Sequence, residues 1–104
     1  MATKEIGGFT IDVDESGYMT DFDQWSKDLA IALAKENGIG ELTQKHWEVI
    51  EYIQKSVKEG ISLSIRKVGK SGVVDIKTFY ELFPDGPLKK ATLISGVQKP
   101  SGCV

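Results

Sequence analysis

The pattern of apolar and polar positions begins with a period of two. In "GFTIDVDESGYMT" Phe9, Ile11 and Val13 alternate with polar residues, and Asp14, Glu15, Ser16 and Gly17 supply turn chemistry before Tyr18 and Met19. Such alternation places one set of side chains on one face of a strand, so this stretch predicts a small β-hairpin turning at 14–17. A two-stranded hairpin is marginal in water and needs a larger partner to lie against.

That partner is helical. In "DFDQWSKDLAIALAKENGI" Trp25, Leu29, Ala32 and Leu33 recur at helical spacing, Asp21 or Asp23 can cap the start, and Asn37-Gly38 supplies a stop. A longer helix follows in "LTQKHWEVIEYIQKSVKEG", with Thr43 as cap, Trp47, Ile50, Ile53 and Val57 on one face, and Gly60 as stop. "ISLSIRKVGKSG" suggests a brief helix capped by Ser62 or Ser64, carrying Ile65 and Val68 and broken by Gly69 and Gly72. In "VDIKTFYELFPDGP" Asp75 caps, Ile76, Phe79, Leu82 and Phe83 form the apolar set, and the helix stops before Pro84. A last short helix is expected from Leu88 to about Ile94, and the residues after Gly96 read as an arm without regular structure. The short helices after residue 60 resemble a helix-turn-helix packing unit. The expected fold is mainly α with some β: an N-terminal β-hairpin on an orthogonal helical bundle, one domain over 1–104, with 96–104 as a mobile C-terminal arm.

Composition supports one compact unit. Hydrophobic residues are 40% and charged residues 27% of 104, ordinary globular usage. The formal net charge of -2 gives no basic field to drive direct nucleic-acid binding, and "DIKTFYELF" has two acids for one lysine, unlike a basic recognition helix. The longest apolar run, Leu29 to Ala34, is too short to span a bilayer, and "MATKEIGG" lacks the apolar core of a signal peptide; the expected location is cytoplasmic. The charge is uneven. Residues 1–24 hold Glu5, Asp12, Asp14, Glu15, Asp21 and Asp23 against Lys4, whereas 86–104 hold Lys89, Lys90 and Lys99 and no acid.

Little in the sequence offers self-contained catalysis. His46 is the one histidine, and with one cysteine far along the chain it cannot supply the three or four ligands a metal needs, so a capping or partly buried structural role is expected and no cofactor is called for. No nucleophilic serine motif or phosphate-binding glycine loop is present. Cys103 stands apart. It is the sole thiol, second from the end in "KPSGCV", where a core cannot be expected to shelter it. Prenylation would need the cysteine fourth from the end. Pro100 stiffens the approach and Gly102 removes side-chain bulk, which suits insertion of the thiol into a narrow cleft. A terminal carboxylate opposes thiolate formation, while Lys99 and a docked Arg66 favour it, so full reactivity is expected only inside a partner's active site.

The glycine-tyrosine pair Gly17-Tyr18, Trp25, His46-Trp47, Ile65-Arg66, "YELFPDGP" from Tyr80 to Pro87 and the ending "GVQKPSGCV" resemble the DsrC/TusE sulfur-relay proteins, the family that includes the gamma subunit of dissimilatory sulfite reductase. The resemblance implies a mostly helical fold with an N-terminal hairpin and a flexible arm, and a sulfur carrier whose Cys103 bears sulfur as a persulfide. It also implies that Arg66, Tyr80, Lys99, Pro100 and Gly102 orient the arm or the sulfur-bearing group, the alternatives being solvation for Arg66 and core packing for Tyr80. Members linked to sulfite reduction have a second cysteine eleven positions earlier on the arm; here Thr92 stands there, Leu93 replaces the usual basic residue after it, and Leu63 replaces a proline. A lone thiol cannot close an intramolecular disulfide, so the resemblance is closer to the TusE-like branch, which relays sulfur toward 2-thiouridine in transfer RNA. The implied partners are an upstream sulfur-donor protein and a downstream acceptor, either a transfer-RNA thiolation enzyme or a sulfite reductase. The alternative is a non-catalytic interaction or regulatory subunit associated with dissimilatory sulfite reductase.

Overall fold

The computed structural model of the chain describes residues 2–61, 63–84 and 86–97. Its two regular strands pair through a turn that lies ahead of the one expected. Strand β1, Ala2–Ile6, pairs antiparallel with β2, Phe9–Val13, in a register running from Ala2 opposite Val13 to Ile6 opposite Phe9. The turn is Gly7-Gly8, with φ of 55° and 88°. Two consecutive positive-φ residues make the two-residue turn whose twist matches that of the strands, and a glycine pair adopts it without steric cost. Tyr18 and Met19 make no second strand: Met19 forms a single bridge with Val13. The Asp14 carboxylate accepts from the amides of Ser16 and Tyr18 at 2.8 and 3.0 Å, and the Asp14 and Thr20 amides donate to the carbonyls of Tyr18 and Asp12 at 2.8 and 3.0 Å, so the chain does fold back at 14–17. The expected turn at 14–17 is therefore present but returns only a short stretch of chain, and what the alternation from Phe9 did not show is the strand before it, Ala2–Ile6.

After a 3-10 turn at Phe22–Gln24 come α1, Lys27–Glu36; α2, Gln44–Lys58; α3, Ile65–Lys70; α4, Ile76–Leu82; and α5, Pro87–Ser95. The caps follow side-chain chemistry. Thr43, Ser64 and Asp75 accept from the amides of His46, Lys67 and Thr78, as expected of N-caps. At α1 the cap is Ser26, because Asp21 caps the 3-10 turn instead, and Trp25 falls between the two elements rather than on the helix. Asn37-Gly38 and Gly60 end α1 and α2 where expected, with φ of 76° at both glycines.

The core gathers around α5, which packs against α1, α2 and α4, while β1 lies on α1 and α3 on α4. Leu29, Ile50, Ile53, Phe79, Phe83, Ala91 and Ile94 are all fully buried. Two apolar expectations fail at helix ends: Val57, in the last turn of α2, and Ile76, the first residue of α4, are exposed. No helix among the described residues is long and apolar enough to cross a membrane.

Candidate functional site

The one thiol follows α5, so the end of that helix is where the fold meets the candidate chemistry. Gly86 and Pro87 start α5, proline at the first helical position needing no amide partner. Its inward face is closed. Thr92 is fully buried, and its hydroxyl donates to the carbonyls of Leu88 and Lys89 at 2.8 and 2.9 Å; Ser95 donates to Ala91 at 2.6 Å. Position 92 therefore lies inside the domain on a helix, not on an arm.

Gly96 ends α5 in the left-handed region with φ of 73°. Two distant side chains meet it there. The Trp25 Nε1–H donates to the Ile94 carbonyl and the Gln54 Nε2–H to the Ser95 carbonyl, each at 2.9 Å. The Trp25 ring lies on Gly96, and Phe22 stacks on Trp25 with ring centroids 5.9 Å apart. Val97 is buried and lines a groove of about 830 Å3 together with Met19, Phe22, Gln54, Lys55 and Lys58. Sequence reasoning missed this arrangement. Trp25 read as a helical core position, and Gln54 gave no signal, since its partner is 41 residues away.

Arg66 and Tyr80 lie elsewhere, on the paired short helices α3 and α4. Tyr80 is 48% exposed, which rules out core packing, and Arg66 is exposed and makes no ion pair among the described residues. Gly69 brings the helices together, with Ile76 against its Cα. Arg66 is one turn before Gly69 and Tyr80 one turn after Ile76, so the two face solvent from the same helix pair. At its edge the Asp75 carboxyl is held below its ordinary value, chiefly by hydrogen bonds from Thr78 and further by Lys77 and Lys45.

His46 is structural. Its Nδ1 accepts the Thr43 amide at 3.0 Å, which requires the proton on Nε2, and Nε2–H then donates to the Leu82 carbonyl at 2.9 Å. The ring meets Phe83 edge-on, with centroids 5.1 Å apart. Both nitrogens are engaged in joining the start of α2 to the end of α4, as the expected capping role requires. Lys99, Pro100, Gly102 and Cys103 lie outside the described residues.

Comparison with known proteins covers the whole length. A family model described as DsrC like protein matches residues 5–104. The gamma subunit of a dissimilatory-type sulfite reductase from Nitratidesulfovibrio vulgaris is 34% identical over 105 residues, covering 100% of both chains. A sulfurtransferase TusE from Pectobacterium atrosepticum is 38% identical over 108 residues, covering 96% of this chain and 98% of that one. Among solved structures, a crystal structure of dissimilatory sulfite reductase I matches with a TM-score of 0.83 at 35% identity, over 99% of this chain and 100% of the other. The oxidized gamma subunit from Archaeoglobus fulgidus matches with a TM-score of 0.77 at 34% identity, over 99% and 100%. A hairpin on a helical core, a full-length family match and likeness to both sets of relatives lead to one conclusion: the chain belongs to the DsrC-like family.

Proposed function

We propose that this protein carries sulfane sulfur as a persulfide on Cys103 and passes it between partner proteins in a sulfur relay. The observation that carries this reading is the family match through residue 104, which takes in the chain's only cysteine. The chemistry balances without a cofactor. The Cys103 thiolate attacks the terminal sulfur of a donor persulfide, a new S–S bond forms on Cys103, the donor's S–S bond breaks, and the donor leaves as a thiolate. Handover to an acceptor thiolate is the same exchange with Cys103 as leaving group.

Residue 92 favours the TusE-like form of this function. A buried threonine hydroxyl, already given to two carbonyls, supplies no second sulfur for an internal disulfide. Every step thus needs a thiol from another molecule, with a donor protein upstream and a transfer-RNA thiolation enzyme or a sulfite reductase downstream. In this reading 96–104 is the arm, Gly96 and Val97 are its anchored root, and Lys99, Pro100 and Gly102 shape the approach of the thiol. Arg66 and Tyr80, solvent-facing on α3 and α4, are available to orient the arm or the sulfur-bearing group. The second reading, a subunit associated with dissimilatory sulfite reductase without turnover of its own, is favoured by the likeness to gamma-subunit structures.

Intact-mass measurement after exposure of the reduced protein to inorganic polysulfide tests the proposal. The expected result is a gain of sulfur, reversed by dithiothreitol and absent in Cys103→Ser and in a chain lacking 102–104 that stays folded. Loading retained in Cys103→Ser, or none in the intact chain, overturns it and leaves the second reading.

A further inference from the structure

Charge is not placed alike on the helices. On α2, Glu48 and Glu51 stand one turn from Lys45 and Lys55, and Lys45 is 3.1 Å from Glu48, so opposite charges at helical spacing answer one another. On α3, Arg66, Lys67 and Lys70 have no acid three or four residues away in either direction, and the helix itself contains none. Lys77 on α4 adds a fourth cation. From Leu63 to Pro84 these four face only Asp75 and Glu81, in a chain whose acids outnumber its cations fifteen to thirteen. All four are exposed and make no ion pair among the described residues. Two large apolar side chains are exposed on the same helix pair, Ile76 and Tyr80, one turn apart on α4. Gly69 brings α3 against Ile76, so the uncovered apolar residues and the cations of α3 belong to one surface.

A stray exposed isoleucine signifies nothing by itself. Here it shares a surface with an arginine and a tyrosine, side chains that protein interfaces favour at their centres, within a patch dominated by one charge sign. We propose that the α3–α4 surface is a docking site for a partner protein presenting an acidic segment with an apolar side chain. The apolar group covers Ile76 and Tyr80, and the carboxylates meet Arg66, Lys67, Lys70 and Lys77. Charge complementarity decides the class of partner. A phosphate backbone would meet Asp75, whose carboxylate caps α4 and lies near Lys77, and Glu81 one turn after Lys77, so a row of phosphates finds carboxylates among its cations. A peptide can set a few carboxylates opposite the cations alone. A second copy of this chain fits poorly, because a two-fold contact would set the cationic surface against itself. The site goes beyond the relay reading: it gives a partner a hold on the folded domain that does not involve Cys103. With Cys103 as carrier, that hold also raises the effective concentration of the thiol in the docked partner.

A synthetic peptide of about ten residues, with glutamates flanking a central Leu-Trp pair, tests the site. Titrated into the isotope-labelled full chain, it is expected to shift the amide resonances of Arg66, Lys67, Lys70, Lys77 and Tyr80, and to bind about tenfold more weakly at physiological than at low salt. Lys67→Glu combined with Lys70→Glu should weaken binding by about tenfold or more. Both side chains are exposed, so the fold is expected to hold, and the corresponding pair of glutamines removes the charges should the glutamate pair not fold. Lys89→Glu, on the exposed side of α5, is expected to leave binding unchanged. No binding, shifts that fall elsewhere, or binding indifferent to the α3 substitutions overturns the proposal. A single-stranded RNA oligomer of equal charge that binds this surface more tightly than the peptide overturns it in favour of nucleic acid. Shifts of the same amides with protein concentration alone overturn it in favour of a second copy. Polysulfide loading of Cys103 is a separate readout: its failure removes the carrier reading and leaves the docking site standing.

Discussion

Two glycines sit at the two places where candidate residues gather, and each has a side chain pressed against its Cα. Gly96 ends α5 with Trp25 on it; Gly69 lies within α3 with Ile76 on it. The overlap a methyl group would create is similar, but the neighbours differ. Trp25 is held by its hydrogen bond to Ile94 and by Phe22 stacked on its ring. Ile76 is 45% exposed at the start of a seven-residue helix, with solvent to turn into. One region is locked by contacts from distant segments, whereas the other is held by its own caps and one adjustable contact. The end of α5 is thus fixed by long-range contacts, whereas the α3–α4 contact can adjust.

The largest effect that would break this comparison is expected at Gly96. Alanine there suffers about 1–2 kcal/mol from the left-handed conformation and about 1–3 kcal/mol from overlap with a ring that cannot move. Urea denaturation of Gly96→Ala should therefore show a loss of about 3 kcal/mol, and a loss below about 1 kcal/mol would mean that Trp25 yields and the root is soft. Next comes Trp25→Phe, which keeps most of the apolar surface and strips the donor from the Ile94 carbonyl. Leaving a partly buried acceptor unpaired costs about 1–3 kcal/mol, to be read from the same unfolding curves.

The same contrast explains what could be read along the chain. Caps are local: Thr43, Ser64 and Asp75 bond amides three residues on, so residue type and spacing suffice to find them. The helical core was legible for the same reason, with Leu29, Ile50, Ile53, Phe79 and Phe83 all buried as periodicity predicts. The turn at 14–17 was legible from its residues, but β1 and the Gly7-Gly8 turn were not, because Ala2 to Ile6 has little apolar alternation of its own and is a strand through its pairing with β2. Of the candidate site, Cys103 and its neighbours were marked by family motif and lie outside the described residues. The Trp25–Gln54 clamp had no local trace, since its hydrogen bonds span 69 and 41 residues.

A smaller effect is expected at the other glycine. Gly69→Ala gains about 1 kcal/mol of helix propensity and asks Ile76 to leave its present rotamer, at about 0.5–1.5 kcal/mol. The two nearly cancel, so stability should stay within about 1 kcal/mol of the unsubstituted protein. Pairing the change with Ile76→Ala sharpens the point: with the obstructing side chain gone the propensity gain should appear in full, and the double-mutant cycle reads the coupling. If Gly69→Ala instead costs as much as Gly96→Ala, the α3–α4 contact is as rigid as the end of α5 and the contrast between the regions fails.

The smallest effect concerns the cap that holds α4 beside that contact. Asp75 Oδ1 accepts the Thr78 amide at 2.7 Å, and the hydrogen bonds from Thr78, with Lys77 and Lys45 nearby, keep its carboxyl below the ordinary value of 3.8. A carboxyl lowered by folding binds its proton less readily in the folded chain, so its contribution to stability is present above the unfolded value and fades as pH falls through the lower folded one. The amide introduced by Asp75→Asn would still offer an oxygen to Thr78 but could not titrate. Asp75→Asn should therefore be less stable than the unsubstituted protein near neutrality. That gap, read as the difference in urea midpoint, should close as pH falls from about 5 to about 2. Because the carboxylate is exposed, salt should narrow the part of the gap due to the two lysines and spare the part due to Thr78. A gap that stays constant across the pH range would show that the charge at Asp75 does nothing for α4 beyond what a neutral cap does.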